Sequence, residues 1–256
     1  MKKHIMIALC IMLILAAGCA PQTAGTQSSP ASQSGAEPEQ QQDLPPWAPD
    51  PNADPVPDKP PWEREPKQTD VRPLSELTEN TIKVTITMED GGVIEAELYP
   101  DLAPQTVRNF VHLARLGFYD GLKFHRIMSG FMIQGGCPDS KGTGNAGYSI
   151  WGEFALNGFV NELKHKPGVL STARANDPYY NSAGSQFFIM HGTSGGLDGK
   201  YAGFGMVTSG MDVVDKIAAT PNSGPDGAVA PENMPVIKSI VVNDTTELPA
   251  PEKIPR

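Results

Sequence analysis

The chain predicts a mainly β domain carrying two helices, preceded by a long lead-in without a core of its own. Three observations carry that reading. Short segments of alternating apolar and polar residues, bounded by Gly, Pro, Asn or Asp, recur from Ile82 to Asn243. Only two stretches in that region repeat apolar residues at the three-and-four spacing of a helix. Before it the composition shifts to Gln, Ser, Pro and acidic residues, with too little apolar surface to fold. Pattern alone leaves barrel and sandwich open.

The chain starts with Lys2 and Lys3, an apolar run from Ile5 to Leu15, and then Ala16-Ala17-Gly18-Cys19. The run is too short to span a bilayer. Small residues directly before a cysteine resemble the bacterial lipoprotein signal, which implies removal of residues 1–18 and lipidation of Cys19. The family often has Leu three residues before the cysteine, where this chain has Ala16. The alternative is an ordinary secretory leader cut near Ala17. With Cys10 removed and Cys19 acylated, Cys137 is alone, and an exported domain with one thiol has no internal disulfide.

Residues 19–75 read as a disordered linker. Thirteen of the twenty-five prolines fall between Ala20 and Pro73, and the second half should favour extended polyproline II. Stretched out, the tract would hold a domain roughly 150 Å from a membrane at that conformation's rise. Pro45-Pro46-Trp47 recurs as Pro60-Pro61-Trp62, which reads as a spacer or as a ligand for a proline-binding partner.

The domain is expected over 76–245, with a polar tail over 246–256. Ile82, Val84, Ile86 and Met88 alternate with polar residues as a half-buried strand, Asp90-Gly91-Gly92 turns the chain, and Val93 to Leu98 returns with Glu95 and Glu97 outward. Pro104 opens a helix whose Val107, Phe110, Val111 and Ala114 form one stripe, stopped by Gly117. Residues 124–136 read as two short strands tightly linked at Gly130. Strands are also expected over 168–172, 186–190, 202–207 and 234–243, the last with Val236, Ile240 and Val242 spaced by two or four, and a second helix over 211–218.

One cation, Arg126, sits in the apolar run Phe-His-Arg-Ile-Met-Ser-Gly-Phe-Met-Ile-Gln-Gly-Gly, residues 124–136. An arginine there costs free energy unless its fork of donors has a fixed task. Gly184-Ser185-Gln186-Phe187-Phe188-Ile189-Met190 offers an amide and two rings. A wall of Phe and Met beside one Arg and one Gln suits a greasy ring attached to an amide, as in a proline peptide. These two stretches, in this order, closely resemble the cyclophilin family of peptidyl-prolyl isomerases, and the resemblance runs from about Thr81 to about Asn243. It implies an eight-stranded antiparallel closed barrel capped by two helices, with the site on its outer face because a barrel this small fills its interior. It further implies that Arg126 stabilises the twisted amide, that Gln134 orients it, and that Phe131, Met132, Phe188 and Leu197 hold the proline ring. Gln186 and the backbone of Ala173, Arg174 and Ala175 would hold the peptide. Three positions depart from the family: Arg174 replaces Asn, Gly196 replaces an aromatic used in cyclosporin binding, and Tyr201 replaces a His at the site. The 176–181 loop is longer than usual.

Two motif matches fail on context. Gly142 to Gly147 fits the dinucleotide pattern but precedes the strand-like Tyr148-Ser149-Ile150, not a helix. Gly192-Thr193-Ser194-Gly195-Gly196 fits the hydrolase elbow, but no helix follows and no histidine comes after the serine. The expected activity is isomerisation of X-Pro bonds in exported polypeptides by a lipid-anchored monomer. Neither metal nor cofactor is expected, and the net charge of -9 argues against nucleic acid. The rival reading is a proline-peptide binding module or holdase with little turnover.

Overall fold

The computed structural model describes residues 58–64, 73–222, 224 and 226–255. The leader, Cys19, Pro45-Pro46-Trp47 and most of the linker lie outside them. Eight strands form one antiparallel sheet: β1 Ile82–Met88, β2 Val93–Leu98, β3 Arg126–Met128, β4 Met132–Gly135, β6 Val169–Thr172, β7 Phe187–Met190, β8 Gly203–Ser209 and β9 Ile237–Val242. A small pair joins β5 Tyr148–Ser149 to β10 Ile254–Pro255. The order across the large sheet is β3-β4-β7-β6-β8-β2-β1-β9. Its two edges meet at a single bridge, Lys123 to Val236, flanked by Gly121 N–H to Ile237 C=O at 2.8 Å and Phe124 N–H to Pro235 C=O at 2.9 Å. The curled sheet thus closes through a few bonds beside β3 and β9.

Helix α1, Pro104–Arg115, packs on β9, and α2, Met211–Ala218, packs on β2, β3 and β4. Phe110 of α1 enters the barrel and meets Phe187 edge-on at 5.2 Å between ring centres, with Tyr119 and Phe204 beside it. These rings fill the interior. Any ligand must therefore bind outside.

Two apolar clusters result. Ile133, Leu170, Phe187 and Ile189 point into the barrel, while Met132, Val169, Phe188 and Met190 from the same strands point outward. Strands apolar on both faces read as continuous hydrophobic runs, which is why Phe187-Phe188-Ile189-Met190 shows no alternation.

The strand expected over 234–243 is regular only from Ile237. A bulge opposite Thr87 and Met88 inserts one residue, so the buried positions are Ile237 and Ile240, and Val236 is only half-buried. One extra residue exchanges the two faces of a strand, and spacing by two cannot follow it. Pro61–Arg64 forms a helical turn with Pro61 first, where polyproline II was expected. Leu74 and Leu77 pack on the outer cluster. The stretch expected as a polar tail lies along the domain: Arg115 binds the carbonyls of Asp244 and Thr246, Pro251 is buried, and Lys253 stands 4.7 Å over the Tyr148 ring.

Candidate active site

Sheet register assembles the site. Arg126 pairs with Gln134, Gln134 with Phe188, and Phe188 with Ser171. Directly paired residues share a face, so these four form one outward row across β3, β4, β7 and β6. The neighbouring row is Met128, Met132 and Met190.

Arg126 is half-buried. Its Nε donates to the Asp226 carbonyl at 2.7 Å and its Nη1 to Gln134 Oε1 at 3.3 Å. Its other contacts are to thioethers: Nη1 to Met132 Sδ at 3.8 Å and Nη2 to Met128 Sδ at 3.3 Å. Sulfur is a weak acceptor, so those N–H groups are held in direction yet remain available to a better partner. Beside them opens a hollow of about 260 Å³ walled by Arg126, Phe131, Met132, Phe188, Leu197 and Tyr201. Its chemistry is a fixed cation at the rim of an apolar slot.

Gln134 Nε2 donates to Gln186 Oε1 at 2.9 Å, and Gln186 Nε2 donates to the carbonyls of Gly142 and Gly144 at 2.9 and 2.8 Å. The Gln186 amide, expected to hold peptide, is therefore committed to the protein. It locks Gln134 and ties the Gly-rich loop to the sheet. A second hollow of about 310 Å³ lies beyond it, with Thr143, Asn145, Ala175 and Ser182 among its walls, and shares Gln134, Ala173 and Arg174 with the first. All the expected groove residues from Arg126 to Tyr201 thus line one of two adjoining hollows; Cys19 lies outside the described residues.

A family model described as cyclophilin type peptidyl-prolyl cis-trans isomerase/CLD matches residues 83–242. The chain belongs to the cyclophilin-type peptidyl-prolyl isomerase family. Peptidyl-prolyl cis-trans isomerase B of Bacillus subtilis is 50% identical over 125 residues, 49% of this chain and 82% of that protein. A peptidyl-prolyl cis-trans isomerase of Helicobacter pylori is 45% identical over 139 residues, 54% of this chain and 80% of that protein. A crystal structure of a Cryptosporidium parvum cyclophilin, obtained in the presence of the dipeptide Ala-Pro, superimposes with a TM-score of 0.56 at 30% identity, covering 64% of this chain and 99% of that one.

The candidate site has supports that the sequence did not announce. His165 stacks on Phe188 with ring centres 6.1 Å apart. Its Nδ1 lies 3.0 Å from Asp198 Oδ1 and its Nε2 lies 3.0 Å from Ser171 Oγ. Burial pushes the His165 pKa down, so the neutral ring donates from Nδ1 to Asp198 and accepts the Ser171 hydroxyl at Nε2. Burial pushes Asp198 up, but the bonds from His165 outweigh it and the carboxyl ends below its ordinary range. The Ser-His-Asp order matches a hydrolase, yet Ser171 is 0% and His165 1% exposed, so no substrate reaches the hydroxyl. The trio braces Phe188 and the segment after Ser194. Strand parity with Phe188 was the one signal that would have found Ser171.

The remaining motifs are structural. Gly147 precedes β5, and Ser194 precedes a single tight turn, Gly195–Leu197. His125, just before β3, is buried. Cys137 is buried too, its thiol donating to Asp139 Oδ1 at 2.8 Å and pushed up by burial. Among the described residues no group of three His, Cys, Asp or Glu side chains is placed to hold a metal ion.

Proposed function

We propose that this domain accelerates rotation about X-Pro bonds by stabilising the twisted amide, without covalent chemistry. The supporting observation is the Arg126 guanidinium held at the edge of the Phe131–Phe188 hollow. The barrier to rotation is roughly 18–20 kcal/mol because the amide is resonance-stabilised. Uncatalysed, the step takes tens of seconds or more. Millisecond turnover requires removing about 6 kcal/mol. In the planar ground state the nitrogen lone pair is delocalised and accepts poorly. At the twisted geometry the lone pair returns to nitrogen, and an Arg126 N–H turns to it from the Met132 sulfur. That bond exists only at the transition state, so it accelerates the step rather than merely tightening binding. The apolar walls hold the proline ring while the amide before it turns beside Arg126.

The Ala-Pro dipeptide in the conditions of the Cryptosporidium crystal agrees with a proline-sized slot. The substrates are proline-containing polypeptides folding outside the cytoplasm, and Cys19 carries lipid that anchors the chain to the bacterial membrane. Support for this is the charged start, apolar run and small residues before Cys19. A protease-coupled proline-peptide assay on the chain lacking residues 1–19, with Arg126→Ala beside it, tests the chemistry. The variant is expected to lose about 10²–10³ in kcat/KM, as for removal of one preorganised donor. Equal rates would favour a binding module. Palmitate labelling of the whole chain against Cys19→Ser tests the anchor, and equal labelling would remove it.

A further inference from the structure

Arg174 follows the end of β6, where the two hollows adjoin, and its side chain is only 3% exposed. Its Nε donates to the Lys200 carbonyl at 2.9 Å, its Nη1 to the Ala175 carbonyl at 2.8 Å, and its Nη2 to Asp177 Oδ1 at 2.7 Å. The guanidinium carbon also lies 4.7 Å from the centre of the Tyr201 ring, 5.1 Å from Phe154 and 5.5 Å from Tyr180. Three of its five N–H groups are bound, three rings lie within 5.5 Å and the side chain is buried, so this cation is committed to the protein. Burying a cation is costly unless its partners are all in place. What these partners have in common is position. Lys200 and Tyr201 belong to the segment that forms the far wall of the ring slot. Ala175, Asp177 and Tyr180 belong to the long loop that reaches both hollows through Asn176 and Ser182.

The wall needs such a clamp. A Cβ on Gly196 would meet nothing within 4 Å, so no side chain supports the slot at that position. The aromatic surface is left to Phe188 and Tyr201, whose rings meet edge-on with centres 6.0 Å apart. Phe188 is backed by His165. Tyr201 in turn has the Arg174 guanidinium over its ring.

We propose that Arg174 is a positioning residue for proline-ring binding. Its side chain holds the Tyr201 ring and the 175–182 loop in the ligand-ready arrangement, and so sets the affinity of the slot without that side chain touching substrate. The inference rests on the isomerase reading. A preordered wall holds the ring equally well in the planar and twisted states, so its loss raises KM and leaves kcat nearly constant. His165 and Asp198 anchor the other end of the segment independently, so the loss is partial.

The test measures KM and kcat separately for an Ala-Ala-Pro-Phe peptide, with the chain lacking residues 1–19, Arg174→Asn and Arg174→Lys. Arg174→Asn is expected to raise KM about three- to tenfold, the scale of one desolvated cation–ring contact and the ordering it provides, with kcat within about twofold. Arg174→Lys keeps the charge over the rings but loses the fork, and its KM falls between the two. Unchanged KM in Arg174→Asn, or a fall in kcat at constant KM, overturns the proposal. If Arg174→Asn shows no cooperative thermal transition, Arg174→Lys and Asp177→Asn carry the test, and unchanged KM in both overturns it. Absence of turnover in the unmutated chain would refute the isomerase function instead. The peptide Kd from NMR titration of the same variants then reads the positioning role: the same rise supports it and equal values overturn it.

Discussion

Replacing Glu153 with glutamine should abolish one specific pH dependence of stability. Glu153 is 0% exposed. Its two carboxylate oxygens accept the backbone N–H groups of Gln105 and Thr106, each at 2.9 Å, in the first turn of α1. It therefore caps that helix from outside, a task its own N-terminal residue Ala103 cannot perform. Burial pushes its pKa up from 4.5 to about 7, against the two capping bonds, which pull it down. In the unfolded chain the group ionises near its ordinary value. Between about pH 4.5 and 7 the folded protein keeps a proton that the unfolded one has lost, so stability falls as pH rises. The difference of about 2.5 pH units corresponds to roughly 3 kcal/mol at 1.36 per unit. Urea unfolding from pH 4.5 to 8 measures it: the unmutated chain should lose about 3 kcal/mol more than Glu153→Gln over that range. Parallel curves for the two would refute the assignment.

Other outcomes follow from the same geometry. Gln186→Ala removes the acceptor of Gln134 and releases the loop at Gly142 and Gly144, and kcat/KM should fall about tenfold, or ~1.4 kcal/mol; an unchanged value would show that Arg126 needs no such support. Ending the chain at Asn243 removes the β10–β5 pairing and the carbonyls bound by Arg115, and calorimetry should show Tm lower by roughly 4–8 °C, from about 2 kcal/mol of lost contacts. Cyclosporin should inhibit weakly, because Gly196 leaves open the place of an aromatic; Gly196→Trp, for which the backbone has room, should tighten inhibition about tenfold, on the scale of one buried ring contact. Nanomolar inhibition of the unmutated chain would count against this.

The site was legible because its chemistry is local in sequence. Arg126, Phe131, Met132 and Gln134 lie within nine residues of one hairpin, and period-two geometry brings them to one face once the turn at Gly130 is recognised. The hairpin at Gly91, the strands β1 and β2 and both helices were legible for the same reason: each is signalled by turn residues and periodicity within a single segment.

What stayed hidden was decided between segments far apart. The amide of Gln186 bears donors and an acceptor that suit a peptide or the protein equally; a loop 44 residues away takes the donors and Gln134, 52 residues away, takes the acceptor. Arg174 has the composition of a groove residue, yet the Lys200 carbonyl 26 residues on and the rings of Phe154 and Tyr201 make it a clamp. Nothing beside Glu153 in sequence marks it as a cap; a helix 48 residues earlier turns its bare N–H groups toward it. By itself the sequence determined which side chains could do the chemistry and on which strands they stand, since propensity and periodicity act over a few residues. The tertiary structure decided which of them remain free to meet a substrate, because a hydrogen-bonding group has few bonds to make and distant partners compete for them.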